Sequence, residues 1–236
     1  MLEHGFYVTG TDTGIGKTVA STALLHALRH GGASAVGMKP VASGCVATAQ
    51  GWRNDDALAL LAASDPQPAY ADLNPYALPL PLAPELAARA AGVIVELAPI
   101  QAAYARLRAQ AQYVVVEGVG GWAAPLSGAL DQVDVVRALD LPVVLVVGLR
   151  LGCLNHAYLT ARAIAGDGCR LAGWIGNEID PDAACRDEIL ELLRARIAAP
   201  CWGWLPHVRP PDVPALSRRL LLPFQVPGTT SGTDER

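Results

Sequence analysis

Apolar positions along the chain follow two rhythms, and their alternation sets the fold class. Phe6-Tyr7-Val8-Thr9 is a β-branched and aromatic run stopped by Gly10, which reads as a strand. From Lys17 to His30 the apolar residues recur at helical spacing, predicting an amphipathic helix behind a glycine-bearing loop. Ala33–Val41 reads as the next strand, so this opening is a parallel βαβ unit. Asn54–Ala63 is predicted to be a short helix behind an Asn N-cap, with two more over 85–91 and 100–112. Asp65–Pro84 holds six prolines and no period, and is expected to be a long surface connection.

The second half repeats the scheme. Strands are predicted over 113–117, 142–148, 171–176 and 201–205, and helices over 155–165 and 182–197. The strands are apolar throughout rather than alternating, as strands buried on both faces are. The expected class is therefore α/β, a doubly wound, mostly parallel sheet of the P-loop NTPase type. Its 236 residues suit one domain of generous size, over 1–225, with 226–236 a polar tail that frays.

Composition narrows the partners. With 52% hydrophobic and 17% charged residues the chain is too apolar to be disordered. Its longest apolar stretch, Leu141 to Leu149, is nine residues, too short to span a bilayer. The start, Met1 to Gly5, lacks a basic segment followed by an apolar one, so a cytoplasmic location is expected. A net charge of −4 and a pI near 5.7 argue against a nucleic-acid or anionic-membrane partner. Five cysteines without a CxxC pair fit reduced thiols. Four of them lie sixteen residues apart, but their flanks are unlike and no repeat follows. Of the eighteen basic residues only Lys17 and Lys39 are lysines. Where charge alone would serve, arginine stands; a compact ammonium is kept where crowded oxygens must be met.

Gly10-Thr11-Asp12-Thr13-Gly14-Ile15-Gly16-Lys17-Thr18 follows a strand and opens a helix, the setting that a phosphate-binding loop needs. Five residues separate Gly10 from Gly16, one more than in G-x4-G-K-[ST]. Backbone N–H groups from Gly14 to Val19 would receive phosphates, Lys17 would reach the β/γ oxygens, and the Thr18 hydroxyl would ligate Mg²⁺. Glu117, at the carboxyl end of its strand, sits where open parallel sheets bind ligands and suits a metal-binding acid. Asp56 would reach the same metal, although Asp55-Asp56 equally read as acids complementing a helix N-terminus. Lys39 ends the second strand and would be a second cation for phosphoryl transfer. Ser43 offers a hydroxyl or ordinary turn chemistry. Asn177-Glu178-Ile179-Asp180 matches a guanine motif at two residues and lacks its lysine, so Asn177 is read more modestly as binding a purine edge.

Taken together these residues resemble the dethiobiotin synthetase family over nearly the whole chain. The likeness runs from Val8–Thr18 through Lys39-Pro40-Val41-Ala42-Ser43-Gly44, Arg53–Leu60, Asn74-Pro75-Tyr76 and Val116-Glu117-Gly118-Val119-Gly120-Gly121-Trp122. It continues through Leu151–Ala157 and Gly173–Asn177. The resemblance implies a homodimeric cyclo-ligase that uses ATP, Mg²⁺ and CO₂ to close a cyclic urea on 7,8-diaminononanoate in biotin biosynthesis. Carried over, Lys17 and Thr13 serve the phosphates, Thr18, Asp56 and Glu117 surround Mg²⁺, and Lys39 stabilises the carbamate and the transferring phosphoryl group. Ser43 lines the same cleft, Asn177 and Pro206 bound the adenine, and the Gly152-Cys153-Leu154-Asn155 helix start holds the substrate carboxylate from the other subunit. Gly14 departs from relatives that carry an acid there, and residues after Trp204 match less well. Two alternatives stand beside this resemblance. Cobyrinate-type amidating enzymes carry a glutaminase domain for which this chain has no room. Nucleotide-switch ATPases of the partitioning or nitrogenase-reductase type place a second lysine in the phosphate loop, which Thr11-Asp12-Thr13 lacks.

Overall fold

A computed structural model describes residues 4–181 and 185–223. The predicted tail, 226–236, and the predicted start of the 182–197 helix lie outside the described residues. The order is β1 (Gly5–Gly10), α1 (Lys17–His30), β2 (Ala35–Met38), β3 (Val41–Ser43), β4 (Val46–Thr48), β5 (Gly51–Arg53), α2 (Asp55–Ala63), α3 (Tyr70–Leu73), β6 (Tyr76–Leu78), α4 (Pro84–Ala90) and α5 (Leu97–Arg108). There follow β7 (Tyr113–Glu117), β8 (Pro125–Ser127), β9 (Leu130–Asp131), α6 (Gln132–Leu139), β10 (Val143–Leu149), α7 (Cys153–Gly166), β11 (Leu171–Glu178), α8 (Arg186–Arg196), β12 (Cys201–Leu205) and α9 (Val213–Ser217).

Six strands form one parallel sheet in the order β12-β11-β10-β1-β7-β2. The chain leaves β1 towards β2 and β7 and later returns to its other side with β10, so β1 sits at the point where the winding reverses. Crevices beyond the carboxyl ends of strands at such a point are where these sheets bind ligands.

Side chains alternate across this sheet, and the alternation decides what reaches the crevice. Phe6 and Val8 pack in one apolar layer with Leu24, Leu25 and Leu28 of α1, while Tyr7 enters the opposite layer beneath α5 and α6. On β7, Tyr113 and Val115 lie on the α1 side and Val114 and Val116 on the other. Glu117, two further on from Val115, therefore emerges on the α1 side, level with Val8 of the neighbouring strand. Lys39 follows Ala35 and Gly37 to that same side, where α2 contributes Ala57 and Leu60.

The 33–41 strand is two pieces: β2 stays in the main sheet, and β3 pairs in parallel with β6. The segment 65–84 is not a featureless connection, since it forms α3 and β6 and buries Leu73 and Leu78. Its prolines sit at turns and at the start of α4, where a missing N–H costs little. The hairpins β4/β5 and β8/β9 and the helix α6 have no counterpart in the sequence reading. Helices 155–165 and 100–112 begin earlier than predicted, at Cys153 and Leu97, and the latter also ends earlier, at Arg108. No described helix is long and apolar enough to cross a membrane.

Candidate active site

The loop between β1 and α1 is shaped by Gly16, which takes a left-handed backbone (φ 83°) and gives α1 no side-chain cap. The first N–H groups of a 14-residue helix are thus left for a ligand. A Cβ on Gly16 would also stand 2.0 Å from Asn177 Nδ2. Asn177, at the end of β11, donates that amide to the Ile15 carbonyl (2.9 Å) and so ties the loop to the neighbouring strand. The Ile15 side chain is itself in the core, leaving only its backbone to face the crevice.

Lys17 is buried, and its ammonium donates to the Asp12 carbonyl (2.9 Å). Burial, then the nearby Lys39 cation, push Lys17 down to about 8, against the pull of Glu117, Asp56 and Asp12. The Asp12 carboxylate in turn pairs with Arg150 (2.5 Å) beyond β10.

Lys39 is 3% exposed, and its ammonium reaches Glu117 Oε1 (2.6 Å), Asp56 Oδ2 (3.1 Å) and the Gly118 carbonyl (3.1 Å). Burial opposes that charge, but Glu117 and Asp56 outweigh it and hold the Lys39 proton more firmly than in water. Asp56 is shifted the other way: partial burial would raise its pKa, yet Lys39, Thr18 and Lys17 bring it below the usual carboxylate range. The Thr18 hydroxyl donates to Glu117 Oε1 at 2.9 Å. Glu117 Oε2 and Ser43 Oγ are buried without a hydrogen-bond partner.

These groups line one cavity of about 700 Å³, within the range of small-molecule sites. Thr13, Gly14, Gly16, Lys17, Thr18, Val19, Lys39, Ser43, Asp56 and Glu117 all face it. A second pocket of about 480 Å³ opens from the same loop and joins Gly14, Gly16 and Val19 to Asn177 and Pro206. Gly152, Cys153, Leu154 and Asn155 line neither and sit at the start of α7, beside a fully exposed Leu151. Asn54, Pro81, Leu82 and Pro84 also line the first cavity, as do Val119, Gly120 and Gly121 after β7. In the sequence Asn54 reads only as a cap, and Pro81, Leu82 and Pro84 belong to the segment that reads as a surface connection.

A magnesium ion needs hard oxygen ligands. Thr18, Asp56 and Glu117 offer hard oxygen donors, and the buried, unpartnered Glu117 Oε2 is a donor still unspent. The set fits such an ion.

A family model described as an AAA domain matches residues 4–211. The ATP-dependent dethiobiotin synthetase BioD of Xanthomonas oryzae pv. oryzae (strain PXO99A) is 67% identical over 223 residues, covering 94% of this chain and 100% of that protein. The protein of the same description from Xylella fastidiosa (strain 9a5c) is 64% identical, covering 93% of this chain and 98% of its own. Among solved structures, the MinD cell division protein of Aquifex aeolicus aligns with a TM-score of 0.54 over 93% of this chain and 87% of that one. At 12% identity that likeness shows a shared fold alone.

Proposed function

The chain belongs to the ATP-dependent dethiobiotin synthetase family, and from that membership we propose that it uses ATP, Mg²⁺ and CO₂ to close a cyclic urea on 7,8-diaminononanoate in the cytoplasm. The observation that carries the reading is a pair of buried lysines, Lys17 on the phosphate loop and Lys39 at the end of β2, facing one cavity. A substrate amine attacks CO₂ to give a carbamate. A carbamate oxygen then takes the γ-phosphoryl group of ATP, releasing ADP and leaving a carbamic-phosphoric anhydride. The second amine attacks its carbonyl carbon and expels phosphate. No covalent protein nucleophile is needed.

Each residue has a physical task in this scheme. The N–H groups behind Gly16 and the Lys17 ammonium hold the triphosphate. Lys39, kept protonated by Glu117 and Asp56, faces the charge that spreads over the transferring oxygens. Thr18, Asp56 and Glu117 would hold Mg²⁺, which when bound supplies positive charge to the phosphate oxygens. The attacking amine must be neutral. An alkyl amine near pKa 10 is about 0.1% neutral at pH 7, a handicap of roughly 4 kcal/mol, which two neighbouring cations and desolvation of the bound amine would reduce. Asn177 and Pro206 would bound the adenine in the adjoining pocket. The α7 start is assigned to the substrate carboxylate of the opposite subunit in a homodimer, in keeping with its lining neither of the two pockets described above. The test is product mass. With ¹³C-labelled bicarbonate, Mg-ATP and the diamine, the expected product is heavier than the diamine by labelled CO₂ less water. Recovery of unchanged diamine from an ATP-consuming preparation would refute the proposal.

A further inference from the structure

A turn, Gly118–Gly121, connects Glu117 to the next hairpin and lines the cavity with Val119, Gly120 and Gly121, and the Gly118 carbonyl is one of the three oxygens around the Lys39 ammonium. That turn is held from behind by one buried amide. Gln132, the first residue of α6 and 1% exposed, accepts at Oε1 from the Val119 N–H (2.8 Å) and from the Tyr7 hydroxyl (2.8 Å). Its Nε2 donates to the Gly121 carbonyl at 2.5 Å. Both lone pairs of Oε1 are therefore occupied, and both ends of the turn are fixed to one side chain. Tyr7 comes from β1, 2% exposed, and burial followed by the nearby Glu117 charge raises its hydroxyl pKa, so it stays a neutral donor. The fit leaves no slack: a Cβ on Gly118 would lie 2.4 Å from Gln132 Oε1 and 2.8 Å from the Tyr7 hydroxyl.

From this geometry we infer that Gln132, anchored by Tyr7, is a positioning residue that sets the height of the Gly118 carbonyl and thereby the place of the Lys39 ammonium in the transfer site. The chain's own core thus reaches the reacting region through a β1 side chain, a helix start and a turn. The Gly118 N–H is tied to the sheet, on the Val8 carbonyl, and the Ala124 N–H donates to the Gly121 carbonyl, while Gln132 is the side chain that holds Val119 and Gly121 together from behind. The inference rests on the functional reading above only for its kinetic arm.

The test uses the fact that the chain has just two lysines. Labelling lysine with ¹³C at Cε gives one signal for Lys17 and one for Lys39, assignable with Lys17→Met. In full-length Gln132→Met the Lys39 signal is expected to move and the Lys17 signal to stay. Turnover of the diamine should fall about tenfold or more, with the KM for ATP changing by less than about threefold. Tyr7→Phe, which keeps the ring and removes one hydrogen bond, should show smaller changes of the same sign, and it decides the matter if Gln132→Met does not fold. An unmoved Lys39 signal in the folded variant overturns the inference, whether or not turnover falls, since a lost rate without a displaced ammonium is a stability effect. If the unmodified protein makes no product from the diamine, the functional reading fails while the spectrum still judges the positioning link.

Discussion

Burial and the charge of Lys39 bring Lys17 down to about 8, while Lys39 itself is held above its ordinary value by two carboxylates. The two lysines of one site are therefore shifted in opposite directions. In the unfolded chain Lys17 holds its proton to about 10.5, so the folded state binds fewer protons between about 8 and 10.5. Stability from this group rises with pH across that window, and below it a buried, charged Lys17 costs roughly 3 kcal/mol. Lys17→Met is accordingly expected to stabilise the nucleotide-free protein at pH 7 by about 1–3 kcal/mol, the gain shrinking towards pH 10.5 in denaturant titrations. ATP affinity should weaken as pH rises past about 8, where the free protein loses that charge. Lys39→Gln should leave ATP binding within a few-fold and lower turnover by about 10²-fold or more. Near-normal turnover would remove Lys39 from the transfer step. Both lysines were visible in the sequence because arginine fills every other basic position. Tyr7 and Gln132 were not, since their bond joins positions 125 apart and each alone reads as an ordinary strand or helix residue.

Among the elements, the segment 65–84 changes meaning most. The Lys39 N–H donates to the Leu73 carbonyl and the Asn74 amide donates to the Lys39 carbonyl, both at 2.7 Å. What reads as a proline-rich connection is the brace for the second cation, and Asn74 is buried to make it. Asn74→Ala leaves that carbonyl unpartnered. It should cost about 1–3 kcal/mol in denaturant unfolding and lower turnover more than it changes ATP binding. Turnover equal to that of the unmodified protein would show that the brace supports the fold only. Proline count hid this segment, because α3 and β6 are too short to show a period and gain their stability from β3 and the core. Helix α6 was hidden for another reason. Val133, Val135 and Val136 favour a strand reading, and the helix start depends on Asp134 accepting from the Asp131 N–H (2.9 Å). The main-sheet strands were legible because continuous Val-rich runs have few other uses.

For the whole molecule, a chain of net charge −4 carries a site that must draw in a polyanionic nucleotide. The attraction is local: Asp56 and Glu117 share the crevice with Lys17 and Lys39, and the N–H groups at the amino end of α1 add the positive field that favours an anion. The proposed dimer belongs to this scale as well. Leu151 is fully exposed and Leu159 half-exposed on α7, whose start lines none of this chain's own site. If that start serves the opposite subunit, a mixture of Lys39→Gln with Asn155→Ala should regain activity that neither has alone, since one composite site is intact. No regain on mixing, with subunit exchange confirmed by mass, would place the carboxylate contact elsewhere. The most direct test of the central claim is the amount of ADP released per diamine consumed by the purified protein in Mg-ATP and bicarbonate. This account expects one ADP for each diamine and almost none without it. ATP turnover that ignores the diamine would contradict it and point to a nucleotide switch on the same fold.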